Sequence, residues 1–341
     1  MPLVTAADYN QLVSGSNEGG INQYAPSLGI VWGMGYGRWG YGQDSNYIAP
    51  VVVGEKIFAQ DWENINDILN YTSQHQGNTY VPLPNNTFFT GGIITKTPQT
   101  TLAAGVNTVY NGAGMVANNS DSTPYVTPYN GYWGDSGNRE LVFTQEINFL
   151  SADAARYFFN AGGKIKLSFS RTGGDASSRN TFWTNLCAAA GTVAIGYRNT
   201  LRLGGNINAP YTALNNNNGG FWANGTNFIE HLRTFATGSD YYGYGYGYYG
   251  YNDYYDYYGY NNTNDYIKVD VKVSGPAGDR AGLGNKVTVR TTFKNGTVVV
   301  PNSADRIGGT TTVSLVVSSP WTEYITDTWG TYTIPNAVVN L

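Results

Sequence analysis

Residues 140–170, ELVFTQEINFLSADAARYFFNAGGKIKLSFS, decide the fold because they predict a strand, a helix and a second strand in direct succession. Residues 140–146 alternate between apolar and polar side chains, as in a half-buried strand. Ser151 is a good N-cap for a short helix, which Gly162 and Gly163 end. From Lys164 the chain alternates again and predicts a strand with one apolar face. That face consists of Ile165, Leu167 and Phe169.

The C-terminal part carries four further segments of this kind. They are YIKVDVKVS (266–274), KVTVRTTF (286–293), TVVVP (297–301) and TTTVSLVVS (310–318). Their spacing is typical of a β-sandwich. Between them and the opening stretch we predict a helix over about 180–190, one strand or a pair over 192–203, and a short helix over 227–235.

The N-terminal part has a different pattern. The first 80 residues predict two short helices, within AADYNQLV (6–13) and AQDWENINDILNYTSQ (59–74), around the glycine-rich loop GIVWGMGYGRWGYGQ (29–43). The second helix carries an apolar stripe with polar residues between. From Tyr80 to Asn138 prolines interrupt a stretch rich in Asn, Gly and Thr, and we expect ordered loops and short strands there.

These patterns give a fold class and a division of the chain. The expected class is β-rich (α+β): short N-terminal helices followed by an antiparallel β-sandwich-like body that short helices and long loops decorate. The division is a helical docking segment over 1–80, an irregular loop-rich region over 81–139, and a β-rich body over 140–341. That body contains a Tyr/Gly-rich insertion at 240–266.

Composition excludes several classes of function. Only 12% of the 341 residues are charged, against about 25% in an ordinary domain. The net charge is −4 and the chain has no run of Lys or Arg, so the electrostatic footprint of nucleic-acid binding is missing. One cysteine and two histidines are too few for a typical zinc site, and we expect no metal and no cofactor. No apolar run approaches the roughly 20 residues of a membrane helix, and the N-terminus lacks the pattern of a signal peptide.

The motifs that could carry chemistry are weak. GYGRWG (35–40) matches a dinucleotide fingerprint in form, but no helix pattern follows it. Glu140 and Glu146 could face the same side of a strand, as a glycosidase pair would require, although nothing marks either as a raised-pKa acid. Asp253, Asp256 and Asp265 could bind calcium, but solvated carboxylates fit their spacing better.

The remaining reactive side chains favour structural roles. His231 falls on the predicted short helix beside Glu230 and Arg233, where a surface or half-buried histidine is the simpler interpretation. Ser177 and Ser178 have no histidine partner in a recognisable motif. Cys187 lies on an apolar helix face and is expected to be a small buried hydrophobe. We therefore expect no catalytic residue and a protein that is not an enzyme.

The tyrosine-rich insertion is the most unusual feature of the sequence, since twelve of the twenty residues over 241–260 are tyrosine. It could be a passive flexible insertion, a glycan- or receptor-binding surface, or a loop that orders against a neighbouring subunit. Tyrosine buries a large area, loses only two side-chain torsions and keeps a polar tip, which favours the last alternative. The expected interaction residues, with two aromatic residues of the glycine-rich loop, are Tyr242, Tyr244, Tyr246, Tyr248, Tyr249, Tyr251, Tyr254, Tyr255, Tyr257, Tyr258, Trp39 and Tyr41.

Several stretches also resemble a known group of proteins. TAADYNQL (5–12), GYGQ (40–43), residues 58–77, residues 147–170 and residues 266–293 are similar, in this order, to tail-associated virion structural proteins of tailed bacteriophages, particularly those of marine bacteria and cyanobacteria. ARYFFNAGG (155–163) is the most specific of these motifs, and the tyrosine-rich insertion departs from the pattern.

This resemblance implies a function. The chain would be a non-enzymatic structural subunit of a virion, in the tail fibre, baseplate or neck. It would assemble in the host cytoplasm with copies of itself and other virion proteins, and be released by lysis. The alternative is a tail adhesin that binds a host-surface glycan. Neither function requires nucleic acid or membrane insertion.

Overall fold

The structure is a computed structural model. It describes residues 4–18, 20, 22, 25–33, 40–44, 46, 48–52, 54–84, 86–135, 137–205, 211–213, 219–235, 265–275, 284–296 and 306–341.

Six α-helices occur in these residues. They are α1 (Ala6–Ser14), α2 (Leu28–Trp32), α3 (Ala59–His75), α4 (Lys96–Asn111), α5 (Ala152–Asn160) and α6 (Ser178–Ala190). The same residues form thirteen strands. They are β1 (Asn119–Asp121), β2 (Tyr125–Asn130), β3 (Glu140–Phe149), β4 (Lys164–Thr172), β5 (Thr192–Ile195), β6 (Thr200–Leu203), β7 (Tyr211–Ala213), β8 (Ile229–Phe235), β9 (Tyr266–Val273), β10 (Lys286–Lys294), β11 (Thr310–Pro320), β12 (Tyr332–Thr333) and β13 (Val338–Asn340).

The strands form two antiparallel sheets, which confirms the predicted β-rich (α+β) class. One sheet has the order β1-β11-β4-β5-β6, with β2 also paired to β11. The other has the order β12-β3-β10-β9-β8-β7, with β13 also paired to β3. Phe169 of the six-stranded sheet packs against Phe293 of the seven-stranded sheet, with ring centroids 6.0 Å apart. The two sheets therefore share a core between their inner faces.

The strand–helix–strand prediction for residues 140–170 is confirmed, and the structure adds what the pattern could not show. Ser151 caps α5 by accepting a hydrogen bond from the Ala154 amide at 3.0 Å. However, β3 and β4 lie in different sheets. The connection through α5 therefore crosses from one sheet to the other, and it places Phe158 and Phe159 in the core at that end of the sandwich.

One predicted helix is wrong: residues 229–235 form strand β8. Phe228, Leu232 and Phe235 fit a helical stripe, but a short apolar run cannot separate helix from strand by spacing alone. Strand β8 pairs with β9 along most of its length, with a bulge between Glu230 and Leu232. That bulge shifts the alternation by one residue and gives the sequence its helix-like spacing.

The loop-rich prediction for residues 81–139 missed helix α4, a helix of 16 residues. Its prolyl residue, Pro98, lies in the first turn, where the missing N–H has no intrahelical partner in any case. Leu102, Val106 and Val109 supply its buried stripe at helical spacing. The proline that favoured a loop in the sequence is therefore compatible with a helix start.

The glycine-rich loop of the N-terminal part also contains an unexpected helix. Residues 28–32, just before the dinucleotide-like motif, form α2. Ser27 caps it by accepting a hydrogen bond from the Ile30 amide. The strand that a dinucleotide site requires is therefore replaced by a helix.

Helices α1–α4 form a layer, here called the helical layer, at one end of the sandwich. The His75 imidazole at the end of α3 bonds the Ala161 carbonyl oxygen at 2.8 Å, and the Gly114 amide after α4 donates to the Asn160 carbonyl oxygen at 2.8 Å. The side chain of Asn160 donates to the Gly40 carbonyl oxygen at 2.7 Å. One continuous apolar cluster joins the helical layer to both sheets.

Candidate interaction surfaces

The structure defines where the tyrosine-rich insertion leaves the body. Phe235, the last residue of β8, is the direct antiparallel partner of Tyr266, the first residue of β9. The Arg233 guanidinium lies over the Tyr266 ring, 4.3 Å from its centroid. Residues 236–264 lie outside the described residues, but both of their flanking strands are fixed side by side. The paired ends of β8 and β9, here called the stem, therefore flank the insertion in the chain.

A buried ion pair secures this stem. The side chains of Arg179 and Asp265 are 2% and 0% exposed, and their N–O distance is 3.0 Å. Asp265 also accepts a hydrogen bond from the Gly296 amide at 2.7 Å. Asp265 is thus buried and neutralised by an arginine, which corrects the expectation that it is a solvated carboxylate. The ion pair joins the stem to the start of α6 and to the end of β10.

The stem and the helical layer lie at opposite ends of the sandwich. Tyr266 is in register with Lys294 on β10, and Lys294 with Glu140 at the start of β3. The helical layer contacts the chain near Asn160, beyond the other end of β3. The nine residues of β10 span about 30 Å at the usual strand rise. The strand ends that flank the insertion therefore lie at the end of the sandwich opposite the helical layer.

The predicted interaction residues are only partly placed. Trp39 and the ten tyrosines between Tyr242 and Tyr258 lie outside the described residues. Tyr41 is fully buried, and its hydroxyl accepts a hydrogen bond from the Gln76 amide at 2.6 Å. Its ring packs edge-on against His75, and burial raises the pKa of the phenol far above its usual range. Tyr41 therefore supports the interior of the helical layer and not an exposed surface.

An exposed apolar patch, which the sequence analysis did not identify, lies at the amino ends of the long helices. Phe58, Phe89 and Ile93 expose 62–75% of their surface. The Phe88 amide donates to the Glu63 carboxylate at 2.8 Å, which places this turn beside the first turns of α3. A turn from the Gly92 amide to the Phe89 carbonyl oxygen brings Ile93 close by. We call these three residues the distal patch.

The distal patch lies at the end of α3 opposite the contact between His75 and the body. The carboxyl end of α3 contacts the sandwich, and its 17 residues extend about 25 Å from that contact. Helix α4 runs parallel to α3, because Gln76 after α3 donates to the Val109 carbonyl oxygen near the end of α4. Phe58, Phe89 and Ile93 lie in the turns that precede α3 and α4 and follow no helical or strand period, so the sequence could not identify this patch.

The two carboxylates considered as a glycosidase pair do lie on the same face of β3. However, six residues of strand place Glu140 and Glu146 about 20 Å apart, whereas such a pair requires about 5–10 Å. Each is also paired with a lysine: Glu140 with Lys294 at 2.5 Å and Glu146 with Lys286 at 3.1 Å. Glu140 and Glu146 therefore cannot act together on one glycosidic bond.

His231 belongs to a buried hydrogen-bond network and not to a helix surface. The Asn224 amide group donates to two carbonyl oxygens, so its oxygen is the acceptor for His231 Nε2–H at 2.8 Å. His231 Nδ1 lies 2.7 Å from the Thr200 hydroxyl, which also contacts the Gly219 carbonyl oxygen. Burial lowers the pKa of His231 to about 4. The arrangement holds a neutral imidazole in the interior between β6, β8 and the turn over 219–224.

Cys187 and Ser177, two other candidate residues, have structural roles. Cys187 is 3% exposed, and burial raises the pKa of its thiol to about 12, in agreement with the role of a small hydrophobe. The Ser177 hydroxyl caps α6 by accepting a hydrogen bond from the Asn180 amide. Within the described ranges, no group of three or more His, Cys, Asp or Glu side chains is arranged to hold a metal ion. No described helix has both the length and the apolar character to span a bilayer.

Comparisons with known proteins define the chain no further than its fold class. The chain matches no protein-family model, no curated protein and no solved structure. The class is a β-rich (α+β) protein with a two-sheet body, a helical layer at one end and, at the other, the strand ends that flank the tyrosine-rich insertion.

Proposed function

We propose that this protein is a non-enzymatic structural subunit of a bacteriophage virion, located in the tail fibre, baseplate or neck. It assembles as a homo-oligomer through aromatic and polar contacts. The observation that carries the proposal is that two candidate interaction surfaces lie at opposite ends of the molecule. A distal apolar patch lies beyond one end of the sandwich, and the stem of the tyrosine-rich insertion lies at the other.

Such an arrangement suits a protein that connects two neighbours. The body between the two ends has one continuous, close-packed core. Strain that a neighbour imposes at one end is therefore transmitted to the other end. The helical layer is joined to the body by buried hydrogen bonds at His75 and Asn160 as well as by apolar packing. The resemblance of residues 58–77, 147–170 and 266–293 to tail-associated proteins gives the same function.

The distal patch suits a contact with another virion protein. Phenylalanine and isoleucine side chains that remain exposed on a folded chain mark interaction surfaces when they are contiguous. Changing Phe58 and Phe89 to Ser should therefore reduce incorporation of the chain into particles. The matched control is Tyr71→Ser on the side of α3, which is also exposed but lies away from the patch.

The proposal is tested in particles of a phage that encodes this chain. We expect mass spectrometry of purified particles to find the chain, and deletion of residues 241–260 to reduce its incorporation while the body stays folded. Particles without the chain would overturn the proposal. Glycan binding by the isolated protein that is lost when the tyrosines are changed to serine would instead assign the adhesin function.

A further inference from the structure

The two outward faces of the sandwich differ in chemistry. The outward face of the six-stranded sheet, here called the neutral face, is lined by hydroxyls of three neighbouring strands. Residues at alternating positions, such as Leu167 and Leu315, are buried in the core, so these hydroxyls point away from it. The hydroxyl residues of the neutral face are Ser168, Ser170, Thr172, Thr192, Thr310, Thr312 and Ser314.

These hydroxyls form rows across the sheet. Thr172 faces Thr310, Ser170 faces Thr312, and Ser168 faces Ser314. Exposed aliphatic residues continue the row of Ser168 and Ser314 at both edges. Val126 on β2 is the partner of Ser314, and Leu203 on β6 is the partner of Thr192. They are 56% and 43% exposed.

Charge is nearly absent from the neutral face. Lys164 and Lys166 lie at one end of it, and Lys166 is paired with Asp121 at 2.8 Å. The outward face of the seven-stranded sheet, by contrast, carries a series of ion pairs. They are Glu140–Lys294, Glu146–Lys286, Asp270–Arg290, Asp270–Lys268 and Glu230–Arg233.

We propose that a second copy of this chain docks on the neutral face, face to face about a two-fold axis. The inference deepens the homo-oligomer part of the proposed function and rests on it. Each hydroxyl can donate or accept a hydrogen bond, so a hydroxyl face is complementary to its own copy. Val126 and Leu203, at the two edges of the face, can shield the hydroxyls between them from water.

The distribution of charge favours a copy of the same chain at this face. The first 118 residues hold seven acidic and three basic residues, whereas the remaining 223 hold sixteen of each. Two copies therefore repel each other through their helical layers, whereas on the neutral face, among the described residues, identical copies can approach with few like charges brought together.

The size of the face sets the expected strength. The neutral face spans five strands about 4.8 Å apart and three rows of hydroxyl residues about 7 Å apart. Its area is therefore roughly 400 Å² per copy. A standard stable interface buries about 800 Å² per partner. The contact is therefore expected to be weak between two isolated copies and to gain strength where symmetry repeats it.

The test compares matched threonine substitutions on the two outward faces. Thr312 on β11 and Thr144 on β3 are both half-buried and point outward in the middle of a strand. We expect Thr312→Glu to weaken self-association of the full chain by about tenfold or more in sedimentation equilibrium, because it brings like charges together. Thr144→Glu should leave association at the wild-type level.

A charge-swap experiment separates docking from misfolding. A mixture of Thr312→Glu and Thr312→Lys chains should associate at least tenfold more strongly than either variant alone. Equal association of Thr312→Glu and Thr144→Glu would overturn the inference, as would a wild-type chain that stays monomeric. Binding of the monomeric chain to dextran, lost in Thr312→Glu, would also overturn it and assign the face to a neutral glycan.

The same measurements distinguish this inference from the proposed function. If Thr312→Glu still associates but deletion of residues 241–260 makes the chain monomeric, the tyrosine-rich insertion is the contact between copies. The docking inference then fails, and the proposed virion subunit remains supported.

Discussion

Phe235 and Tyr266 are direct partners across two neighbouring antiparallel strands, although thirty residues separate them in the chain. The thirty residues include the whole tyrosine-rich tract, and the strand ends on either side of it are in register. The buried pair of Arg179 and Asp265 lies directly beside this closure.

Removal of the tract should therefore leave the body intact. Deleting residues 241–260 shortens the connection from thirty residues to ten, which lowers the entropic cost of closing it by about 1 kcal/mol. We expect the free energy of unfolding, measured by urea denaturation, to stay the same or rise by that amount. A loss of several kcal/mol would show that the tract contributes to the core.

The ion pair at the stem should be sensitive to the loss of one partner. Arg179→Met leaves the Asp265 carboxylate buried without its cation, and should cost about 3–5 kcal/mol of stability. The double variant Arg179→Met, Asp265→Leu should recover most of this loss. Lys286→Met, which removes a partly exposed pair with Glu146, is the control and should cost less than about 1 kcal/mol. Similar losses in the two single variants would contradict the structural assignment.

Because of His231, the free energy of unfolding should fall as the pH is lowered. Its folded pKa of about 4 lies below its ordinary value of 6.5, so the unfolded chain binds a proton first as the pH falls. The contribution of neutral His231 to the free energy of unfolding is fully present above pH 6.5. It is lost between pH 6.5 and 4, by about 3 kcal/mol in total.

The measurement is urea denaturation at several pH values between 7 and 4. His231→Gln should show a smaller loss of stability over this range than the wild type. His75 also has its pKa lowered by burial, so His75→Gln is a second variant with the same expected sign. An unchanged pH dependence in His231→Gln would contradict the prediction.

Tyr41 should contribute to stability and not to association. Tyr41→Phe removes the acceptor for one Gln76 hydrogen bond, while Gln76 still donates to the Val109 carbonyl oxygen. We expect a loss of about 1 kcal/mol in denaturation and an unchanged mass in sedimentation. A change in mass with no loss of stability would instead show that Tyr41 contributes to an interface between copies.

Several elements could be predicted from the sequence because their signals are local. Ser151 and Gly162 mark the two ends of α5, and strict alternation marks β4 and β9. Helix α4 was missed because Pro98 and the threonines of its first turns favour a loop when they are read alone. Strand β8 was misread because a bulge changes its period.

The candidate surfaces were less predictable. The tyrosine-rich tract is evident from composition, but its stem depends on Arg179, which lies 86 residues before Asp265. The neutral face requires the register of β11 against β4, since a shift by one residue would place its hydroxyls in the core.

The sequence by itself determined the alternating strands, the caps of the short helices, the low charge and the aromatic tract, because each depends on neighbours a few residues apart. The tertiary structure decided which strands share a sheet, that Tyr41 and Asp265 are buried, and that the strand ends flanking the tract lie opposite the helical layer. Those features depend on contacts between residues far apart in the chain, and such contacts leave no local pattern.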